Sequence, residues 1–123
     1  VINLAKATND KFGELSAYNN IANIYADRGN YPKALDYYFL TLKAAEDINH
    51  QRAISVTYNN IAIAYYTLED YPATIEYLLK SLKISKAEED LQNIANTMNN
   101  IAELYTKQDR LEKAMAYYDT AYQ

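Results

Sequence analysis

Tyr18-Asn19-Asn20-Ile21-Ala22 returns as Tyr58-Asn59-Asn60-Ile61-Ala62 and again as Met98-Asn99-Asn100-Ile101-Ala102. Each copy stands 40 residues after the one before. Self-similarity at a fixed period of this size marks stacked repeats, each too small to bury its apolar face except against a neighbour. Working outward from the first copy, apolar residues recur at helical spacing. Tyr18, Ile21, Ala22 and Tyr25 form one stripe, and Ala34, Leu35, Tyr38, Leu42 and Ala45 form a second. The pattern predicts two amphipathic helices per repeat.

The break between the two helices is written as Arg28-Gly29-Asn30 before Pro32, as Glu69-Asp70 before Pro72, and as Gln108-Asp109-Arg110. Asn30 and Asp70 suit a helix N-cap, and proline is tolerated in the first turn, where its missing N–H has no helical partner. The third break departs from the pattern. Arg110 stands at the cap position and Glu112 replaces proline, so the expectation is a cap from Asp109 or a looser turn.

Small residues recur where helices must approach closely: Ala22, Ala62 and Ala102 in the first helices, Ala34, Thr74 and Ala114 in the second. Bulk comes from tyrosine, fourteen of 123 residues. A phenol buries its ring while its hydroxyl reaches water or a carbonyl at the edge, which suits a thin two-layer array.

Residues 2–14 match 42–54 and 82–94 in character, with Gly13 and Glu14 in place of Ala53 and Ile54. One domain over 1–123 is therefore expected. Residues 1–14 read as the second helix of a truncated repeat plus a linker, followed by repeats at 15–54, 55–94 and 95–123, the last cut short. An opening inside a repeat, without an initiator Met, reads as a segment of something longer. The fold class is all-α, an α-α superhelix of about three helix pairs with a leading half repeat.

Half the residues are hydrophobic, enough for a core. Twelve basic residues against sixteen acidic give a net charge of −4, and the basic ones are scattered, so the footprint of a nucleic-acid binder is missing. Without cysteine there is neither a disulfide framework nor a thiolate nucleophile or metal site. Apolar runs are far too short for a membrane span, and no direct membrane contact is expected. The expected compartment is the cytoplasm, with a periplasmic sensor region as the alternative.

The order aromatic, aliphatic, Ala, aromatic in the first helix, then Gly or an acid at the turn, then Tyr31-Pro32-Lys33-Ala34 and Tyr38, resembles the tetratricopeptide repeat. That repeat is usually about 34 residues long. The extra residues here are expected in extended helices and in a linker around Ile48 to Ile54. Longer repeats with paired Asn are similar to those of kinesin light chain, Rap-type bacterial regulators and bacterial sensor kinases. The resemblance implies a superhelix whose first helices line a concave groove that holds a peptide or a partner's helix.

At 100° per residue, Asn20 lies about 200° from Tyr18 and points away from the packing stripe. Ser16, Asn23 and Asp27 share its side. The same reckoning aligns Asn60, Ile63 and Thr67 in the second repeat, and Asn96, Asn100, Glu103 and Lys107 in the third. A ladder of amides results, and a carboxamide can satisfy both the C=O and the N–H of an extended peptide. Three rungs about 10 Å apart would span roughly six extended residues. Each bond adds only about 0.5–1.5 kcal/mol net, so apolar contacts from Tyr66, Ile63 and Val56 are needed as well. Asn19, Asn59 and Asn99 fall on the flank, where bonds between repeats compete with ligand. Only Lys107 is basic on this face, which argues against a carboxylate clamp.

His50, the only histidine, reads as a residue of the polar connection Asn49-His50-Gln51. Glu88-Glu89-Asp90 reads as a solvated, helix-starting segment, because no calcium-loop spacing surrounds it. No phosphate loop, catalytic set or metal-ligand spacing occurs, so no enzyme, cofactor or metal is expected. The functional expectation is a protein-interaction module for a protein or peptide ligand. The alternatives are a sensor or dimerisation arm of a larger bacterial signalling protein, or a structural spacer. Leu111, Ala114, Met115 and Tyr118 would lie partly bare, which makes end-to-end self-association an expected tendency.

Overall fold

The computed structural model describes the backbone of residues 2–121 and the side chains of residues 10–116. Five helices follow one another: α1 (Ile2–Asp27), α2 (Tyr31–Asp47), α3 (Gln51–Thr67), α4 (Tyr71–Ala87) and α5 (Leu91–Ala121). No strand occurs among the described residues. α2, α3 and α4 are each 17 residues long and are separated by three-residue turns, which accounts for the 40-residue period. The extra length over a 34-residue repeat therefore lies in the helices. The linker expected around Ile48 to Ile54 is only Ile48–His50, since α3 begins at Gln51.

All four turns are built alike. Their middle residues, Gly29, Asn49, Glu69 and Glu89, take positive φ of 79°, 53°, 63° and 55°. The residue after each closes the preceding helix through its N–H: Asn30 to the Tyr25 carbonyl (2.8 Å), His50 to Ala45 (3.0 Å), Asp70 to Tyr65 (2.9 Å), Asp90 to Ser85 (2.9 Å). With the accompanying bonds from Gly29, Asn49, Glu69 and Glu89 to the carbonyl three residues back, this is the Schellman pattern, which satisfies carbonyls a helix end leaves unpaired. The same residue then caps the next helix. Asn30 Oδ1 accepts from the Lys33 N–H (3.3 Å), Asp70 Oδ1 from Ala73 (3.2 Å) and Asp90 Oδ1 from Asn93 (3.2 Å). His50 does the same through Nδ1, which accepts from the Ala53 N–H at 3.1 Å. The lone histidine is thus the cap of α3.

The two outer breaks are absent. α5 runs unbroken through Gln108-Asp109-Arg110, so neither a cap at Asp109 nor a loose turn forms there. Arg110 cannot accept an N-cap bond, Glu112 lacks the constraint of proline, and Asp109 pairs with Lys113 one helical turn on (3.1 Å). α1 likewise passes straight through the linker expected before residue 15. Inside that stretch Lys11 pairs with Glu14 (3.2 Å) at helical spacing and with Asp47 of α2 (3.4 Å).

Two cores hold the layers together. Ala22, Ala34, Leu35, Tyr38, Leu42, Ala45, Ile54, Ile61 and Ala64 join α1, α2 and α3. Ala62, Leu78 and Leu104 join α3, α4 and α5. Beside the second core lies a buried polar seam. Asn93 Nδ2 lies 2.6 Å from Ser85 Oγ, 3.2 Å from Ser81 Oγ and 3.3 Å from Ser55 Oγ, while Ser81 Oγ donates to the Ser55 carbonyl (2.8 Å). Ser81 Oγ and Thr97 Oγ1 are 3.4 Å apart. One repeat earlier Asn93, Ser85 and Ser55 correspond to Ala53, Ala45 and Leu15, and Ser81 to Thr41, so three apolar positions have become hydrogen-bonding ones.

Three substitutions check this account. Glu69→Gly, which relieves a side chain held at positive φ, should raise stability in urea unfolding by up to about 1 kcal/mol, whereas Asp70→Ala should lower it by about 1 kcal/mol through loss of the cap. Asn93→Ala should lower stability by about 1–3 kcal/mol, because it strips a donor from buried hydroxyls.

Candidate functional site

The second core does not fill the space above it. Ala62, Thr74 and Leu78 form the floor of a cavity of about 280 Å³ whose walls are Ile63, Tyr66, Thr67, Asn100 and Glu103. Ile63, Tyr66 and Thr67 come from α3, Asn100 and Glu103 from α5, Thr74 and Leu78 from α4. The floor is closed, with Ala62 and Leu78 essentially without solvent contact, whereas Ile63 is 44% exposed at the rim. A larger opening of about 750 Å³ adjoins it through Tyr66 and Glu103 and continues past Thr106 and Lys107 to Arg110 and Leu111. Lys107 Nζ stands 5.0 Å from the centre of the Tyr66 ring and 6.0 Å from that of Tyr71, within cation–π range.

The space arises from substitutions between repeats. In the first repeat Tyr38 fills the corresponding position, and its hydroxyl donates to Asn23 Oδ1 at 2.6 Å. In the second repeat Leu78 replaces that tyrosine and Ile63 replaces the asparagine. A smaller side chain below and an apolar one above leave a cavity instead of a closed contact. Leu78 and Thr74 were not among the residues expected to line a site, because only first helices were considered. The exchange of Tyr38 for Leu78 was the signal available in the sequence.

The expected ladder of amides is sorted by its bonds. Asn20 and Asn96 are exposed and Asn60 is half-buried. Asn100, half-buried, donates through Nδ2 to Asn59 Oδ1 at 3.1 Å, and Asn59 is buried. Asn59, on the flank, thus bonds to the next repeat, while Asn19 is half-buried and Asn99 exposed. Asn23 is engaged by Tyr38. Of the expected site residues, Ile63, Tyr66 and Asn100 meet around one cavity, with Lys107 at its mouth. Asn20 and Asn23 belong to the first repeat and line neither opening.

The family model for the tetratricopeptide repeat matches residues 13–87 and 52–123. The chain belongs to the tetratricopeptide repeat family. The crystal structure of the tetratricopeptide repeat domain of Arabidopsis FLU superposes with a TM-score of 0.76 over 89% of this chain and 92% of that one, at 24% identity. At that identity the likeness is one of fold. No curated protein matches the chain significantly. Tetratricopeptide repeat domains are in general non-catalytic modules for protein–protein interaction. Among the described residues no group of His, Asp and Glu could hold a metal ion, and no helix is long and apolar enough to cross a membrane.

Burial raises the pKa of Tyr38, Tyr58, Tyr65 and Tyr77 above that of a free phenol, and Asp27, Glu46 and Asp70 add to it at the first three, respectively. A raised folded-state pKa contributes stability that is complete below the unfolded value of about 10 and is lost as pH climbs through the folded value. Urea unfolding followed from pH 8 to 11 should therefore show stability falling above about pH 10, and Tyr38→Phe should make that fall shallower.

Proposed function

We propose that this repeat array binds an extended peptide or partner segment along the face carrying Asn20, Asn60 and Asn100, with one apolar side chain of the ligand seated in the cavity of the second repeat. The observation that carries the reading is the convergence of Ile63, Tyr66 and Asn100, from two successive repeats, on one cavity with a sealed apolar floor. Its 280 Å³ is at the lower edge of ligand pockets, about 300–1,000 Å³, and suits an anchoring side chain better than a whole small molecule.

The amides supply the rest of the contact. Asn60 and the free carbonyl of Asn100 can bond ligand main chain, since the Asn59 bond uses only the amide group of Asn100. Glu103 and Lys107 bring one charge of each sign to the mouth, so ligand specificity would combine an apolar anchor with a neighbouring polar or charged residue. Buried apolar area at the anchor is the main source of affinity, because exposed amide bonds are worth little each.

A peptide-array screen with the folded chain tests the proposal. Peptides that bind should weaken roughly tenfold or more with Ile63→Asp, the equivalent of about 1.4 kcal/mol or more. Asn60→Ala should weaken them several-fold with nearly unchanged melting temperature. Binding that ignores both substitutions would remove this face from consideration, and a large loss of stability in Asn60→Ala would make that residue architectural.

A further inference from the structure

In the first two repeats the second helix folds back onto the first, and these pairs, α1 with α2 and α3 with α4, are the most extensive interfaces in the molecule. Tyr25 stacks on Tyr37 with ring centres 5.7 Å apart, and Tyr65 stacks on Tyr77 at 5.8 Å. Ala22 and Ala62 are fully buried beneath them.

The third repeat keeps these residues in sequence. Tyr105 and Tyr117 stand where the stacked tyrosines stand, and Ala102 stands where Ala22 and Ala62 do. Ala114 corresponds to Ala34 and Thr74, and Met115 to Leu35 and Ile75. Glu103 and Tyr118 take the places of Asn23 and Tyr38, again an oxygen acceptor matched to a phenol. Yet α5 is one unbroken helix, so positions 105 and 117 are separated by about 18 Å of helical rise. Ala102, Tyr105, Leu111 and Met115 are exposed, and the 750 Å³ opening lies over Ala102 and Thr106.

We propose that the part of α5 beyond Arg110 is an exchange arm, which seats on the Ala102–Tyr105 face of a second copy of this chain while receiving that copy's arm in return. The arm carries the residues its face requires, and the unbroken helix keeps it from folding back onto that face within its own chain. A second copy offers the same face, and a two-fold arrangement satisfies both arms at once. The hinge is Gln108-Asp109-Arg110, the one break between first and second helices where the cap residue and the proline are both missing. Exchange would pair Tyr105 of each copy with Tyr117 of the other and would close the larger opening. Tyr66 and Glu103 border both openings, so the arm would lie beside the peptide cavity, and the tests below are made without peptide so that they read exchange alone.

The chain has no cysteine, so introduced thiols report unambiguously. Tyr105→Cys and Tyr117→Cys variants, mixed and treated with a short bifunctional maleimide, should form covalent heterodimers that neither variant forms alone. The double variant should yield covalent dimer, not a chain bridged to itself. In sedimentation the unsubstituted chain should be a dimer. The variant Asp109→Gly, Arg110→Asp, Glu112→Pro, which restores the turn, should be a monomer of the same helicity. Bridging within one chain, a monomeric unsubstituted chain at every concentration, or a turn-restored variant that stays folded and dimeric would each overturn the proposal. Should the cysteine or turn variants fail to fold, sedimentation of the unsubstituted chain decides alone.

Discussion

Each turn in this protein rests on one residue that completes one helix and starts the next. Asn30, His50, Asp70 and Asp90 close the helix before them with a main-chain N–H and open the helix after them with a side-chain acceptor. Two sets of orphan backbone groups are thereby satisfied within three residues, and the angle between successive helices is fixed by hydrogen bonds more than by side-chain bulk. Everything above this level follows from it. The three inner helices, equal in length and turned back at equal intervals, bring small residues opposite one another, and the tyrosines fill what remains. The positive φ at the middle position favours glycine, yet only Gly29 meets that preference. Glu69, Glu89 and Asn49 hold the same geometry against their own inclination.

Against this uniform frame the interior varies from repeat to repeat. The first repeat closes its helix pair with a phenol on an amide, Tyr38 on Asn23. The second uses Leu78 and Ile63 and leaves a cavity. In a stacked array each repeat's core is settled by its immediate neighbours, so a repeat can lose a contact and gain a pocket without disturbing the next. The face proposed for binding thus has one deep position, the cavity of the second repeat. A peptide lying along it would be read in register from that position.

The period, the helix pairs and two of the caps were legible because they depend on local chemistry: apolar spacing, Asn or Asp before proline, glycine at a turn. The candidate site was partly legible. Helical phase placed Ile63 and Asn100 on one side, with Tyr66 added as an apolar contact, and the structure gathers the three round a cavity. It could not show that Leu78 and Thr74 supply the floor, since that depends on how α4 meets α3. Nor could phase tell which amides were already engaged. Asn59 was set apart by its flank position, but Asn23 looks as available in sequence as Asn60, and only the fold shows that Tyr38 holds it. The straight course of α5 was hinted at by Arg110 and Glu112. The period argued the other way, and local chemistry prevailed. His50 passed as a loop residue because histidine is an uncommon cap, although its place in line with Asp70 and Asn30 offset by half a repeat was visible.

The junction of α4 with α5 differs in kind from the one before it. Where α2 meets α3 the contact is largely aliphatic and aromatic, so parting it would expose an oily face to water. Ser55, Ser81, Ser85, Asn93 and Thr97 instead present hydroxyls and an amide, and water can replace every bond they lose. Such a seam can open with little gain in stickiness and close again with its register intact, because hydrogen bonds are directional where apolar contacts are not. Leu78 and Leu104 beside the seam still hold α4 to α5 by apolar contact, so at this junction the core supplies adhesion and the hydrogen bonds set register.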